Sequence, residues 1–330
     1  MIRTIAAVVR GEGVASALRR AGERIEEALR FDPMPIRKAS ILNYCAMSAA
    51  PRIGGVAVQL QARLRVERRY RRVALLDGDR AMTLRQALDI TGAKLLHIEG
   101  TYGVNVAEIL QLGVPYFVSV HDSSATRELL QSAAMVIYPS RFRRDACGVD
   151  GPIIEPGIDA TPVSGGGDAI AFAGAVKRKK GAHLLPDLAR SLDRELHVFG
   201  GGDEEIFRAL RRVPNIVIHG YYRAGTLPSL LARHRIGRVV LPSIFDESFS
   251  LALSESWHAG AAVAAFDYAA LGERIRRHGG GWLVPLEAGA EGLAEVINRN
   301  EPVTIPREIA TAEDAAKNYL DLYSAARAGE

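Results

Sequence analysis

The chain has 330 residues, of which 48% are hydrophobic and 24% charged, and its formal net charge is +4. These values are typical of a globular chain with two domains of ordinary size, and the modest charge does not select nucleic acid as a partner. Two cysteines, Cys45 and Cys147, exclude a disulfide framework and lack metal-ligand spacing, and no apolar run is long enough to span a membrane. We therefore expect a cytoplasmic protein, with a peripheral position at the inner membrane face left open.

The N-terminal extension, residues 1–37, contains a candidate amphipathic helix at residues 11–31. Packing on the following domain is its simplest role, and a dimer or membrane contact is the alternative. The first strand is predicted at residues 39–44. A glycine pair, Gly54 and Gly55, then precedes a helix, at a point where small residues let the backbone approach a ligand.

The helix that starts at Val56 is predicted to carry an arginine-rich stretch over residues 63–72. Four of its arginines are expected to share one helical face: Arg65, Arg68, Arg69 and Arg72. A solvated surface is the simpler interpretation of such a run. Peripheral contact with anionic lipid through residues 63–72 is the sharper hypothesis.

Strands and helices then alternate, which predicts parallel α/β sheet. In the first half we predict strands at 72–76, 94–98, 116–120, 135–138 and 153–155, with helices at 83–90 and 104–112. Because ligands gather at the carboxyl ends of parallel strands, the polar residues that follow two of these strands are candidates for a site, namely Glu99, Thr101 and His121. Capping of a strand end by hydrogen bonding is the alternative for His121.

The second half follows the same plan after a glycine-rich linker at residues 161–168. Strands are predicted at 169–173, 195–199, 215–219, 239–241 and 262–266, and helices at 183–192 and 226–235. We divide the chain into a first domain at residues 38–160, a second at 169–305, and a closing helical segment at 306–330.

Two loops of the second domain have features of a phosphate site. Gly174 opens a basic loop between a strand and a helix, which favours phosphate over nucleic acid as the partner of Lys177 and Lys180. The amides of Phe249, Ser250 and Leu251 fall where another helix begins. Unpaired N–H groups and the positive end of the helix dipole meet there, which favours an anion.

The segment that begins at Glu247 resembles the nucleotide-sugar site of the retaining family 4 glycosyltransferases, also called glycosyl transferases group 1. It reads Glu247-Ser-Phe-Ser-Leu-Ala-Leu-Ser-Glu255, followed by Ala259-Gly260-Ala-Ala-Val263. Ser248 and Ser250 stand where the family usually has glycine, and Ala262 stands where it has proline. Lys180-Gly181 also matches the family, whereas Ala175 replaces its usual arginine.

The resemblance implies the GT-B fold, an α/β architecture of two Rossmann-like, doubly wound domains that face each other across a cleft. It implies that Glu247 and His121 contact the donor sugar and that Glu255 binds the ribose hydroxyls. Lys180 would hold the diphosphate, with Lys177 or a neighbour supplying the charge lost at Ala175. By the same resemblance Tyr221 or Tyr222 stacks on the base, and Glu99 and Thr101 lie on the acceptor side. The other residues that it implies contact the donor are Gly54, Gly55, Gly174, Ser248, Phe249, Ser250 and Leu251.

The function implied is transfer of a sugar from a nucleotide-sugar donor to the hydroxyl of a glycan or lipid-linked acceptor, with retention at the anomeric carbon. No metal or other cofactor and no nucleic acid is expected. Without a well-placed aspartate as base, the leaving phosphate is expected to accept the proton of the acceptor. A nucleotide-sugar epimerase and a non-catalytic binding relative are the alternatives, and the change at Ala175 favours the second of these.

Overall fold

The computed structural model describes residues 36, 38–46, 55–78, 82–160, 163, 166–223 and 225–328. The predicted N-terminal helix, Gly54 and half of the predicted linker lie outside the described residues. The chain divides after Asp159 and again after Ile309. We call the described residues up to Asp159, together with those from Ala310 onward, the first unit, and Ala160–Ile309 the second unit.

Within the described residues, the first unit contains a five-stranded parallel sheet in the order β2-β1-β3-β4-β5. The strands are β1 (Ile41–Cys45), β2 (Val73–Asp77), β3 (Leu95–Glu99), β4 (Tyr116–Ser119) and β5 (Met135–Ile137). The predicted strand at 153–155 is wrong, because only an isolated bridge joins Ile153 to Tyr138. Pro152 and Pro156 flank this run, and proline has no N–H to donate to a sheet.

Side-chain caps set the starts of several helices of the first unit, which are α1 (Gly55–Glu67), α2 (Leu84–Thr91), α3 (Val106–Gln111), α4 (Arg127–Gln131) and α5 (Arg141–Cys147). Thr83 accepts from the amide of Gln86, whose side chain accepts from the Thr83 amide, a complete capping box. The other capping side chains belong to Asn105, Thr126 and Ser140. These polar residues therefore set the helix boundaries locally.

The arginine-rich stretch 63–72 does not form a single helix, so that prediction is wrong. Helix α1 ends at Glu67, and the chain turns into β2 because the Ser40 amide donates to the Arg72 carbonyl at 3.0 Å, beside the pairing of β1 with β2. Arg63 is buried, and exposed Arg65 pairs with Asp159 at 2.9 Å. Sheet pairing thus overrides the helical pattern of the sequence.

The second unit contains a six-stranded parallel sheet among its described residues, in the order β11-β10-β9-β6-β7-β8. Its strands are β6 (Ala169–Ala173), β7 (Leu196–Phe199), β8 (Ile216–Gly220), β9 (Ile236–Leu241), β10 (Ala262–Phe266) and β11 (Gly281–Val284). The winding direction changes between β6 and β9, which are neighbours in the sheet. Such a switch point is where doubly wound sheets bind ligands, beyond the carboxyl ends of the strands.

Helices cover both faces of this sheet. They are α6 (Leu185–Arg190), α7 (Glu204–Leu210), α8 (Leu227–Arg233), α9 (Leu251–His258), α10 (Ala269–His278) and α11 (Gly289–Arg299). Ile170 and Phe172 of β6 enter one apolar core, and Ala171 and Ala173 enter the other. Burial on both faces explains why these strands are continuous apolar runs. Short 3-10 turns precede α6 where a longer helix was predicted.

The last helix, α12 (Ala312–Ala328), packs within the first unit. Its Tyr319 and Tyr323 are buried, and the ring of Tyr323 lies 5.9 Å from that of Phe117 on β4. The residues before α12 form a parallel bridge from Thr311 to Ile158. None of the described helices is both long and apolar enough to cross a membrane.

The close contact between Gly157 and Thr311 gives a test of this packing. A Cβ at Gly157 would lie 1.8 Å from the Thr311 carbonyl oxygen, so the backbone would have to move. We expect Gly157→Ala to destabilise the protein by about 3 kcal/mol, the upper range for overpacking. Gly148→Ala is the control, since its Cβ meets open space and only its positive φ costs about 1 kcal/mol. Thermal melting of both variants measures the difference, and equal melting temperatures would contradict the packing.

Candidate functional site

The loops that follow β6 and β9 are packed against each other. A Cβ at Gly181 would lie 1.7 Å from the carbonyl oxygen of Pro242, and the φ of Gly181 is +72°, so both geometry and space require glycine. The Ile244 amide also donates to the Lys179 carbonyl at 3.2 Å. The basic loop after β6 therefore lies beside the turn that carries Glu247.

An ion pair joins these loops, with Lys180 Nζ 2.9 Å from Glu247 Oε2. The side chain of Glu247 is only 7% exposed, whereas that of Lys180 is 30% exposed. A buried carboxylate needs such a partner, because burial without one is costly. The pair supplies a fixed negative group next to a cation that solvent and an anionic ligand can reach.

The other basic residues of this loop have different surroundings. Lys177 and Arg178 are exposed, and Lys179 Nζ lies 4.8 Å from the centre of the Phe245 ring. Ala175 lies in the same loop, and its carbonyl accepts from the Lys177 amide at 2.8 Å. Gly174, directly after β6, donates its amide hydrogen to the Phe199 carbonyl of β7 at 3.0 Å. The two backbones are close there, since a Cβ on Gly200 would lie 1.7 Å from the Gly174 carbonyl oxygen.

Helix α9 begins at a strained residue. Ser250 is its N-cap, with φ +73° and ψ +92°, and the Ser250 side chain accepts no capping hydrogen bond from the helix amides. Positive φ is the conformation that favours glycine, which accounts for the glycine usual at this position in the resembled family. The backbone before α9 therefore has a conformation that is energetically unfavourable for serine. Ser248 and Leu251 at this end of the helix are half-buried, and Phe249 is buried.

Arg274 of α10 holds this strained turn, and sequence reasoning missed it. Its Nη1 donates to the carbonyls of Phe249 and Ser250, both at 3.1 Å, and its Nη2 donates to Ser254 Oγ at 2.9 Å. The guanidinium also lies 3.6 Å from the centre of the Phe249 ring. Burial lowers the pKa of Arg274 to about 9, so the group stays charged at neutral pH. The available signal was an arginine on the apolar face of α10.

Glu255, one helix turn from the end of α9, is buried and accepts a hydrogen bond from the Gly225 amide at 2.9 Å. Burial raises the pKa of this carboxyl to about 7, although the Gly225 N–H opposes the shift. Burial and then Glu255 raise the pKa of Tyr222 well above its usual value. Tyr222 is half-buried and Tyr221 is buried. The structure therefore brings Glu255 together with Tyr222 and Gly225, and the sequence did not indicate the contact with Gly225.

In the first unit, the end of β3 carries a buried ion cluster. Glu99 pairs with Arg63, whose Nε lies 2.9 Å from Glu67 Oε1 and whose Nη2 donates to Asn43 Oδ1 at 3.0 Å. Burial raises the pKa of Glu67 to about 7. Arg63, expected in a surface stretch, is instead a buried cation whose charge offsets the unfavourable burial of these two carboxylates.

Thr101 and Asp122 form a second cluster at the ends of β3 and β4. The Thr101 hydroxyl donates to Asp122 Oδ1 at 2.6 Å, and the Thr101 amide donates to Oδ2 at 2.9 Å. Burial alone would raise the pKa of Asp122, but the hydrogen bonds from Ser124 and Thr101 lower it by a larger amount. The net shift of this pKa is therefore downward. Asp122 is thus an ionised anchor for the loop after β3.

His121 lies beside a small cavity of about 20 Å³, room for about one water molecule. Glu99, Arg63 and Gln59 line the same cavity. The side-chain nitrogen of Gln59 lies 3.0 Å from Nδ1 of His121. Burial and then the Arg63 charge lower the pKa of His121 to about 4, so the ring is neutral at pH 7 and forms hydrogen bonds without carrying charge. Gly55 lies nearby in sequence, as the first residue of α1.

The second unit matches a known family. Residues 167–300 fit the family model described as glycosyl transferases group 1, which confirms the resemblance for this part of the chain. A search of curated proteins gave no significant match.

Solved structures with the same fold cover most of the chain. The glycosyltransferase AviGT4 of avilamycin A biosynthesis has 17% identity and a TM-score of 0.62, over 88% of this chain and 99% of that one. HepE from Anabaena, in complex with UDP and glucose, has 15% identity and a TM-score of 0.65, over 87% and 99%. Sucrose-phosphate synthase from Thermosynechococcus elongatus has 16% identity and a TM-score of 0.67, over 88% and 100%. The predicted fold class, GT-B with two Rossmann-like α/β domains, is confirmed.

The strain at Ser250 predicts a stabilising substitution. Ser250→Gly removes the penalty of a positive φ, so we expect the free energy of unfolding to rise by about 1 kcal/mol. Ser248→Gly is the comparison, because Ser248 is not among the residues with positive φ and the added backbone freedom should destabilise it. Thermal melting measures both variants, and a lower melting temperature for Ser250→Gly would contradict the prediction.

The raised pKa of Glu255 predicts a pH-dependent loss of stability. The folded-state pKa of about 7 lies above the ordinary value of 4.5, so the folded state holds the proton more tightly and stability falls as pH rises between these values. Glu255→Gln keeps an acceptor for the Gly225 amide and removes this titration. We expect the melting temperature of Glu255→Gln to exceed that of the wild type increasingly from pH 4.5 to 7, and then to differ by a constant amount. Parallel curves across this range would contradict the assignment.

Proposed function

Residues 167–300 carry a domain of the glycosyl transferases group 1, and from this premise we propose that the protein transfers a sugar from a nucleotide-sugar donor to an acceptor hydroxyl, with retention at the anomeric carbon. The observation that carries the proposal is the Lys180–Glu247 pair at 2.9 Å. It lies at the switch point of a doubly wound sheet, beside the start of α9. A cation, a carboxylate and a helix N-terminus there suit a diphosphate that carries a sugar.

The donor diphosphate is proposed to lie against Lys180 and the first amides of α9. Leaving-group charge that develops on the phosphate is stabilised by a preorganised cation and by helix N–H groups. Glu247, whose carboxylate Lys180 holds in place, then orients the hydroxyls of the donor sugar. The proton of the acceptor hydroxyl passes to the departing phosphate in this account, so no separate protein base is needed.

Glu255 and the 221–225 segment are proposed to bind the nucleoside. A buried carboxylate that accepts from the Gly225 amide still has acceptor positions for two ribose hydroxyls. Half-buried Tyr222 is the proposed base-stacking residue, because buried Tyr221 has less surface to offer. HepE, one of the similar structures, was solved in complex with UDP-glucose. A uridine nucleotide is therefore the first donor to test.

Replacement of the family arginine by Ala175 leaves one charge to be supplied. Exposed Lys177, two residues further along the same loop, is the proposed substitute. A lysine binds phosphate as a point charge and lacks the forked geometry of arginine. We therefore expect the affinity for the donor to be lower than with an arginine at position 175.

The first unit is proposed to bind the acceptor, a glycan or lipid-linked glycan of polysaccharide or glycolipid assembly. His121, neutral at pH 7, is proposed to form a hydrogen bond with the substrate sugar. Glu99, which is paired with Arg63, and Thr101, which is hydrogen-bonded to Asp122, are proposed as residues of the acceptor side.

Exposed Arg65 and Arg69 are proposed to contact anionic lipid headgroups, in competition with their acidic partners Asp159 and Glu313.

Donor binding can be tested before the acceptor is known. A ligand at a hundred times its Kd stabilises the folded state by about 2.7 kcal/mol, so a panel of UDP-, GDP-, ADP- and TDP-sugars should reveal the donor by a rise in melting temperature. We expect one donor to raise it in the wild type and in the control Glu287→Ala, an exposed site, but not in Glu255→Ala. A panel without any shift would contradict the proposal.

Chemistry is tested separately from binding. We expect Lys180→Met to lower turnover on the order of a hundredfold or more, because it removes a cation that stabilises the leaving phosphate. Lys317→Met is the matched control, since it breaks an exposed lysine–glutamate pair on α12 and should leave turnover unchanged. Conversion of the donor without any acceptor would identify an epimerase, and tight donor binding with neither transfer nor hydrolysis would identify a binding protein.

A further inference from the structure

Three histidines of the second unit lie together outside the residues assigned above. His197 lies on β7, His219 lies on the edge strand β8, and His234 follows the end of α8. One ring nitrogen from each lies within 4.8 Å of the other two. Among the described residues, this is the only group of histidine, cysteine or acidic side chains with such spacing. All three rings are half-buried, so solvent reaches them.

The three histidine rings are packed closely together, beside the ring of Phe199. His197 Nδ1 lies 2.8 Å from His219 Nε2, and the ring centres of His219 and His234 are 4.3 Å apart. The buried ring of Phe199 stacks on His219 with a centre-to-centre distance of 4.3 Å and an angle of 7°. Phe199 therefore packs against one face of the His219 ring and limits its movement on that side.

The chemistry of this group matches that of borderline metal ions. Imidazole nitrogens prefer zinc, cobalt, nickel and copper, whereas magnesium and calcium prefer oxygen. A metal–nitrogen distance of about 2.0–2.1 Å with tetrahedral angles places ligand nitrogens about 3.4 Å apart. His197 and His219 would separate slightly from 2.8 Å, and the widest separation would close from at most 4.8 Å. Such shifts of about 1 Å need only small rotations of half-buried side chains.

We propose that His197, His219 and His234 bind one divalent transition-metal ion of the zinc type, with the remaining coordination position open to water. Three protein nitrogens and an open position are a common zinc arrangement. No sequence motif marks this site, because its ligands come from two strands and the end of a helix and meet only in the folded sheet. The inference does not depend on the proposed transferase function.

The ion would have a structural consequence for one segment. His219 and His234 stand at the two ends of residues 220–233, and His197 lies beside both of them on the neighbouring strand β7. A metal that joins all three ligands fixes the ends of this segment, which includes α8 and the Gly225 amide that contacts Glu255. Opening of the segment is therefore expected to be rarer when the ion is bound.

The binding experiment uses the full chain, free of any polyhistidine tag and treated with a chelator, titrated with Zn²⁺ by calorimetry. We expect one ion per chain in the wild type. Each of His197→Gln, His219→Gln and His234→Gln should weaken binding by at least about tenfold, since even groups that only orient a metal ligand contribute that much. His278→Gln, at an exposed histidine outside the group, should leave binding unchanged.

Two further measurements keep the test decisive if a variant fails to fold. Co²⁺ added to the wild type should give the visible absorption of a tetrahedral, nitrogen-rich site, and Zn²⁺ should then abolish it. Hydrogen exchange of amides 220–233 should slow with Zn²⁺ in the wild type. Absence of stoichiometric binding by the folded wild type, an octahedral Co²⁺ spectrum, or equal binding by the three variants would overturn the proposal.

Discussion

Parallel pairing of β6 with β9 is the constraint on which the candidate donor site depends. Because the two strands are neighbours that run in the same direction, their following loops leave the sheet side by side. Gly181 then packs directly against the Pro242 carbonyl, a contact that any side chain would obstruct. This contact brings Lys180 to Glu247, and the ion pair in turn makes burial of the carboxylate tolerable. The Lys180–Glu247 ion pair therefore depends on the contact at Gly181, and that contact depends on the pairing of β6 with β9.

Each unit also buries an arginine that organises polar groups around it. Arg274 donates hydrogen bonds to the carbonyls of the strained turn before α9. Arg63 pairs with Glu67 and Glu99, and together with Glu99 it lines the cavity beside His121. A buried guanidinium keeps its charge, so its neighbours must supply acceptors or carboxylates. The two arginines therefore fix the shape of the surfaces next to the candidate residues, although neither was recognised as important from the sequence.

Much of the secondary structure could be predicted because parallel strands buried on both faces are short apolar runs. The run Ala169–Ala173 became β6 and Ala262–Phe266 became β10 with the predicted bounds. The errors arose where tertiary pairing decides. Residues 153–155 lie between two prolines and make only an isolated bridge to Tyr138, and the arginines after Glu67 must leave α1 to let Val73 pair with β1. Local pattern contains no information about which strand edge is available.

From the sequence alone, apolar periodicity and the glycine-rich linker predicted two α/β domains, because these patterns are local properties. The resemblance of two motifs to the glycosyl transferases group 1 identified Lys180, Glu247 and Glu255 as candidates. Only the tertiary structure decided that Lys180 contacts Glu247, that Arg274 supports Ser250, and that Gly225 faces Glu255. The same is true of the histidine group, whose members lie on separate elements. Contacts between residues distant in sequence depend on sheet order and burial, and these follow from the packing of the whole unit.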